Sequence, residues 1–135
     1  MIVLDASAAV DMVRGTEEGL AFRQLIMNGE SIAAPRLFVS EVANSLLKYV
    51  RAGYCDIDTA ATKAHEAYDL IDEFASDEEL MPEALLEAAV SGHPAYDMLY
   101  LVLARRRKAT LFTRDKKLQS ICESRGISHV HQLSL

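Results

Sequence analysis

Four acidic residues, Asp5, Glu41, Asp97 and Asp115, could do chemistry together, although only Asp97 resists a plain explanation when taken singly. Asp5 follows directly on the apolar run Ile2-Val3-Leu4, and Asp115 stands two residues beyond a second apolar run that ends at Thr113. Asp97 is the only charge between His93 and Arg105. An acid in so apolar a helix has to be paired, hydrogen-bonded or bound to a cation. Glu41 shares a helical pattern with Val39, Val42 and Leu46 but falls on the opposite side, near Asn44 and Lys48. Local periodicity alone makes it a solvated residue. Taken singly, Asp5 and Asp115 also read as helix caps, and Asp97 as a first-turn acid favoured by the helix dipole. Taken together, they repel. Two bare carboxylates roughly 4 Å apart cost about 4 kcal/mol at an effective dielectric near 20. A cluster of four therefore calls for protonation or for divalent cations, and oxygen-only ligands select Mg²⁺ or Mn²⁺ over Zn²⁺. Cys55 and Cys122 lie far apart in sequence, and neither belongs to a metal-type pair. His129 and His131 flank Val130 and read as part of a tail strand.

The elements that must bring these acids together can be read from the pattern. Ile2-Val3-Leu4 is a buried strand. Ala6 to Val13 is a short helix stopped by Gly15, and Thr16-Glu17-Glu18 starts another that runs to Gly29. Ser31 to Ala34, closed by Pro35, is a weak strand. Val39, Val42, Ala43, Leu46, Leu47 and Val50 mark a strong helix ended by Gly53. Asp58 is read as the cap of a helix striped by Ala60, Ala64, Ala67, Ile71 and Phe74. Leu80-Met81, before Pro82, is read as the end of a short strand, with a helix from Glu83 to Val90. Ala95 to Ala104 is a buried helix, Thr110 to Thr113 a strand, Asp115 to Arg125 a helix and Ile127 to Val130 the last strand. Strands separated by helices require parallel crossovers. The expected fold is α/β, with a mainly parallel sheet of four or five strands in one domain over residues 1–135. Sites in such sheets lie beyond the carboxyl ends of the strands, which is where Asp5 and Asp115 fall.

Composition sets the outer bounds. The chain has 135 residues, half of them hydrophobic and a quarter charged, which fits a globular domain and excludes disorder and fibrous repeats. No apolar stretch approaches a membrane span. The N-terminus has no basic region and no cleavage site, so a cytoplasmic protein is expected. The net charge of −6 is unevenly spread. Residues 56–100 carry 12 acids and one base, whereas residues 101–135 carry 2 acids and 8 bases. Such asymmetry marks either solvated faces or two partners of opposite charge.

The motifs, in order, resemble the PIN domain, and in particular the VapC-like toxin ribonucleases of toxin–antitoxin modules. They are Val3-Leu4-Asp5-Ala6-Ser7-Ala8, then Pro35 with Ser40-Glu41-Val42-Ala43-Asn44, then Tyr96-Asp97-Met98-Leu99-Tyr100, and Leu111-Phe112-Thr113-Arg114-Asp115. The resemblance implies a three-layer α/β/α sandwich. It implies a catalytic and metal-binding quartet of Asp5, Glu41, Asp97 and Asp115, supported by Ser7, Asn44 and Thr113. Met98 stands where a small residue is frequent, and Lys116-Lys117 stand where some relatives carry another acid.

The implied chemistry is hydrolysis of RNA phosphodiesters with Mg²⁺ or Mn²⁺. Arg114 and Lys116 are candidate RNA contacts, and the run Arg105 to Lys108 is a weaker one because cations suit a helix C-terminus anyway. Of Tyr96 and Tyr100, either could stack on a base, and one of the pair is expected in the core. The resemblance further implies a homodimer, a small VapB-like antitoxin, and a larger assembly with it. No membrane partner is expected. The alternatives are a non-catalytic PIN-like module in RNA processing and a metal-dependent binding module. Asp5-Ala6-Ser7-Ala8-Ala9 starts like a von Willebrand A-type metal loop but has Ala9 where that loop has a second serine. A receiver domain is disfavoured because Asp97 lies in a helix pattern.

Overall fold

The structure is a computed structural model that describes residues 1–26 and 29–130. His131 lies outside them. β1 (Ile2–Leu4) is the middle strand of a five-stranded parallel sheet. On one side of it lie β2 (Ile32–Pro35) and then β3 (Glu73–Ala75). On the other lie β4 (Thr110–Phe112) and then β5 (His129–Val130). The chain thus leaves β1 outward in one direction and returns to the opposite side for β4. That reversal opens a crevice at the carboxyl ends of β1 and β4. β1 and β2 are buried throughout, as expected for parallel strands covered on both faces.

Seven helices complete the three-layer α/β fold among the described residues: α1 (Ala6–Arg14), α2 (Glu17–Ile26), α3 (Leu37–Arg51), α4 (Ile57–Asp69), α5 (Asp77–Ser91), α6 (Met98–Arg107) and α7 (Lys116–Ser124). α1 packs on α2, α3 and α4, while α6 packs on α5, α7, β1, β2 and β4. α6 is apolar almost all round, and every residue from Met98 to Ala104 is buried, so it forms the centre of the core. α1 and α2 approach closely because position 19 is glycine. A Cβ there would fall 2.0 Å from the Asp11 carbonyl oxygen.

Four sequence expectations are corrected. Leu80-Met81 is not a strand end but lies inside α5, whose cap is the Ser76 hydroxyl and whose first turn holds Asp77, Glu78 and Glu79. Pro82 is accommodated within that helix. The strand lies earlier, at Glu73–Ala75, so Phe74 belongs to β3 and not to the preceding helical stripe. The cap of α4 is Asp56, whose side chain accepts from the Thr59 N–H; Asp58 sits in the first turn. The last helix before β4 begins at Met98, because Pro94 to Asp97 form a tighter turn in which Asp97 N–H bonds to the Pro94 carbonyl at 3.2 Å.

Candidate active site

Asp5 is placed by the sheet itself. Its N–H donates to the Phe112 carbonyl at 3.0 Å, extending the β1–β4 ladder by one bond. Its carboxylate turns back to cap α1, with Oδ1 accepting from the Ser7 N–H at 2.7 Å and the Ala8 N–H at 3.2 Å. The Ser7 hydroxyl also donates to Oδ1, and the buried Thr113 hydroxyl donates to Oδ2. The Thr113 oxygen in turn accepts from the Asp115 N–H at 3.0 Å. One hydroxyl therefore couples the acid after β1 to the acid after β4. Asp115 caps α7 through Oδ1, which accepts from Lys117 N–H at 2.9 Å and Leu118 N–H at 3.3 Å. For Asp5 and Asp115, capping and placement at the sheet edge are one and the same geometry.

Asp97 and Glu41 come from the helices. Asp97 is the cap residue of α6 but makes no side-chain capping bond, which leaves its carboxylate to the crevice. Glu41 sits on α3, and its Oε1 accepts from the Tyr100 hydroxyl at 2.6 Å. Tyr100 is buried and Tyr96 is half exposed, so the tyrosine pair divides into one core residue and one residue at the rim.

These residues line one open cleft of about 620 Å³. Its walls include Asp5, Ser7, Glu41, Asn44, Asp97 and Asp115 from the sequence-derived set. Thr113 stands behind them. Arg114 and Lys116 fall in neighbouring cavities, and Arg114 is engaged by Asp11 at 3.0 Å and Glu18 at 3.8 Å. Sequence reasoning passed over Ser40, Ser45 and Lys48 as lining residues and over Tyr100 as the partner of Glu41. The i+4 and i+7 spacing from Glu41 to Ser45 and Lys48 was the available signal.

The cleft is electrostatically unsatisfied. Burial raises the Asp5 carboxyl above its ordinary value, against four hydrogen bonds that lower it. Burial also raises Glu41; the Tyr100 hydroxyl opposes this, and the charges of Asp5, Asp97 and Asp115 add to it. Asp97 is raised by burial and then by Asp115, with His93 and Lys117 opposing. The Tyr100 hydroxyl is held well above its usual range by burial and by Glu41 and Asp5, so it remains a donor. Among the described residues none of the four acids is in an ion pair. Nor, among those residues, are three Asp, Glu, His or Cys side chains gathered closely enough to hold one ion as placed. The donor chemistry nevertheless fits a hard divalent cation. It consists of four carboxylates without a sulfur or imidazole among them, and their mutual repulsion is what a dication offsets.

The PIN domain profile matches residues 2–124. No curated protein sequence matches the chain. Among solved structures, PAE2754 from Pyrobaculum aerophilum superposes with a TM-score of 0.72 at 23% identity, over 88% of this chain and 82% of that one. VapC20 of Mycobacterium tuberculosis, described as a sarcin-ricin loop cleaving toxin, superposes with a TM-score of 0.67 at 15% identity, over 98% of this chain and 100% of that one. At these identities the two structures establish the shared fold.

Proposed function

This chain belongs to the PIN domain family, whose members are generally nucleases, and from that premise we propose that it is a metal-dependent endoribonuclease acting as the toxin of a VapBC-type toxin–antitoxin pair. The observation that carries the proposal is the cleft: four carboxylates, unneutralised by any ion pair among the described residues, at the point where the sheet order reverses. Asp5 and Asp97 would hold Mg²⁺ or Mn²⁺ directly, with Asp115 beside them and Glu41 through water. When bound, the ion supplies positive charge against the charge developing on phosphate and makes water a better nucleophile.

The protein's own groups do the rest. Ser7 and Thr113 fix both oxygens of Asp5, and such supporting partners set ligand orientation. Tyr100 holds Glu41 in one rotamer. Lys48 at one end of the cleft and Lys116 and Lys117 in the cavity beyond Asp115 supply cations for the phosphates flanking the reacting one. The proposal extends to a homodimer, a VapB-like antitoxin, a cytoplasmic setting and a single domain over residues 1–135. Among the described residues no helix is long and apolar enough to cross a membrane.

Cleavage of cellular RNA by the purified protein in Mn²⁺ and in Mg²⁺ tests the central reading, alongside EDTA and Asp97→Asn. Discrete cuts that vanish in both controls are expected. Cuts that persist in Asp97→Asn contradict it, and no cuts at all contradict it in favour of a PIN domain retained for binding.

A further inference from the structure

A second cavity of about 490 Å³ adjoins the carboxylate cleft and shares Ser7, Ser45 and Lys48 with it. α3 runs along both. Glu41, Asn44, Ser45, Lys48, Tyr49 and Ala52 recur at three- and four-residue spacing, so they form one stripe on that helix. The stripe begins among the acids and ends among aromatic rings. At 1.5 Å per residue, Tyr49 stands about 12 Å along the axis from Glu41.

The aromatic end is built by the chain. The Arg14 guanidinium lies 4.0 Å from the Tyr49 ring centroid and donates to its hydroxyl at 2.9 Å. Tyr54 meets Tyr49 edge to face with centroids 6.2 Å apart, yet remains 79% exposed. Gly53, at φ +82°, takes the left-handed turn that ends α3. The Tyr54 N–H then donates to the Tyr49 carbonyl at 2.9 Å, which folds the ring back against its neighbour.

We infer that this cavity is a nucleobase subsite, in which the base of a nucleotide near the scissile bond stacks on Tyr54 while Lys48 holds the intervening phosphate. The inference rests on the nuclease reading above. The distribution of charge separates base from phosphate. Around the cavity, Asp11 lies 3.0 Å and Glu18 3.8 Å from Arg114 while the Arg14 guanidinium covers the Tyr49 ring, so these four charges balance and the exposed Tyr54 ring is left to a base. At the boundary with the cleft, Lys48 is exposed and in no ion pair among the described residues, which suits a phosphate. Stacking on an aromatic face tolerates every base, so the subsite anchors the strand without dictating its sequence.

The test uses Asp97→Asn protein, expected to bind RNA without cutting it, and a short fluorescein-labelled single-stranded RNA read by anisotropy in Mg²⁺. Adding Tyr54→Ala is expected to weaken binding about tenfold, and Tyr54→Phe to restore the parental affinity. Neither changes the salt dependence, whereas Lys48→Gln lowers its slope by about one. An abasic oligomer is expected to bind the parent and Tyr54→Ala equally. In the active enzyme, Tyr54→Ala raises KM and spares kcat. Unchanged affinity in Tyr54→Ala, with a parent that binds and a wild type that cuts, overturns the subsite and leaves the nuclease reading standing. A parent that binds no RNA overturns the subsite, and a wild type that also fails to cut overturns the nuclease reading with it.

Discussion

The carboxylate cleft and the edge formed by α5 and α6 are both dense in charge, and they treat it in opposite ways. On the edge, Arg105 bonds to Glu83 and Glu87, Arg106 to Glu83, Arg107 to Glu73 and Arg125 to Glu87. Hydrogen bonds from these arginines hold Glu73, Glu83 and Glu87 below the ordinary carboxylate range. In the cleft, burial pushes Asp5, Glu41 and Asp97 above it. Three acids of the acidic middle, Glu73, Glu83 and Glu87, and four bases of the C-terminal stretch, Arg105, Arg106, Arg107 and Arg125, therefore form one internal network. In the cleft, Asp5, Glu41, Asp97 and Asp115 have no ion-pair partner among the described residues. Stabilising charge is paired and exposed here, while the charge left for chemistry is unpaired and recessed.

The largest contrast is expected in catalysis. Asp5→Asn and Asp97→Asn each lower RNA cleavage by more than about a hundredfold, beyond the loss typical for a supporting residue. Glu83→Gln, on the edge, leaves the cleavage rate at its parental value. Initial rates on one RNA substrate check both. Thr113→Val is expected to lower cleavage about 10- to 100-fold, because it removes the hydroxyl that orients Asp5 Oδ2 and accepts from Asp115.

Stability should separate the two regions by sign. A carboxyl whose folded pKa is raised penalises the fold when ionised. The penalty is full above the folded pKa and is gone below the unfolded value near 3.8. In metal-free protein at neutral pH, Asp97→Asn is therefore expected to raise the melting temperature by about 2 °C, after discounting for solvent screening. That gain fades toward pH 4. Glu83 is the reverse case. Its depressed pKa contributes stability above the unfolded value of 4.5, and this is lost as pH falls through the folded pKa. Glu83→Gln is expected to cost less than about 1 kcal/mol at low salt and less again at high salt. Thermal melts of both variants against pH check the two slopes.

The sequence made the framework legible where strand and site coincide. Ile2-Val3-Leu4 and Thr110-Leu111-Phe112 are apolar runs ended by or near an acid, so strand, direction and candidate ligand are read together. β3 escaped because Glu73-Phe74-Ala75 is a short edge strand with one large apolar residue, beside a helix whose Leu80 is buried but whose Leu85, Leu86 and Val90 are exposed. Glu41 looked solvated because a helical wheel shows only its own helix. Its burial depends on Tyr100, 59 residues away. The arginine network was equally hidden, since Arg107 and Glu73 lie 34 positions apart. Arg114 looked free from its neighbours in sequence, but α1 and α2 supply Asp11 and Glu18.

The most direct test of the four-acid centre is calorimetric titration of Mn²⁺ into the protein without RNA. The wild type and Glu83→Gln are expected to bind Mn²⁺ alike, and Asp5→Asn and Asp97→Asn to lose that binding. Binding in Asp97→Asn as tight as in the parent, or no binding by the wild type, would contradict a metal centre formed by these carboxylates.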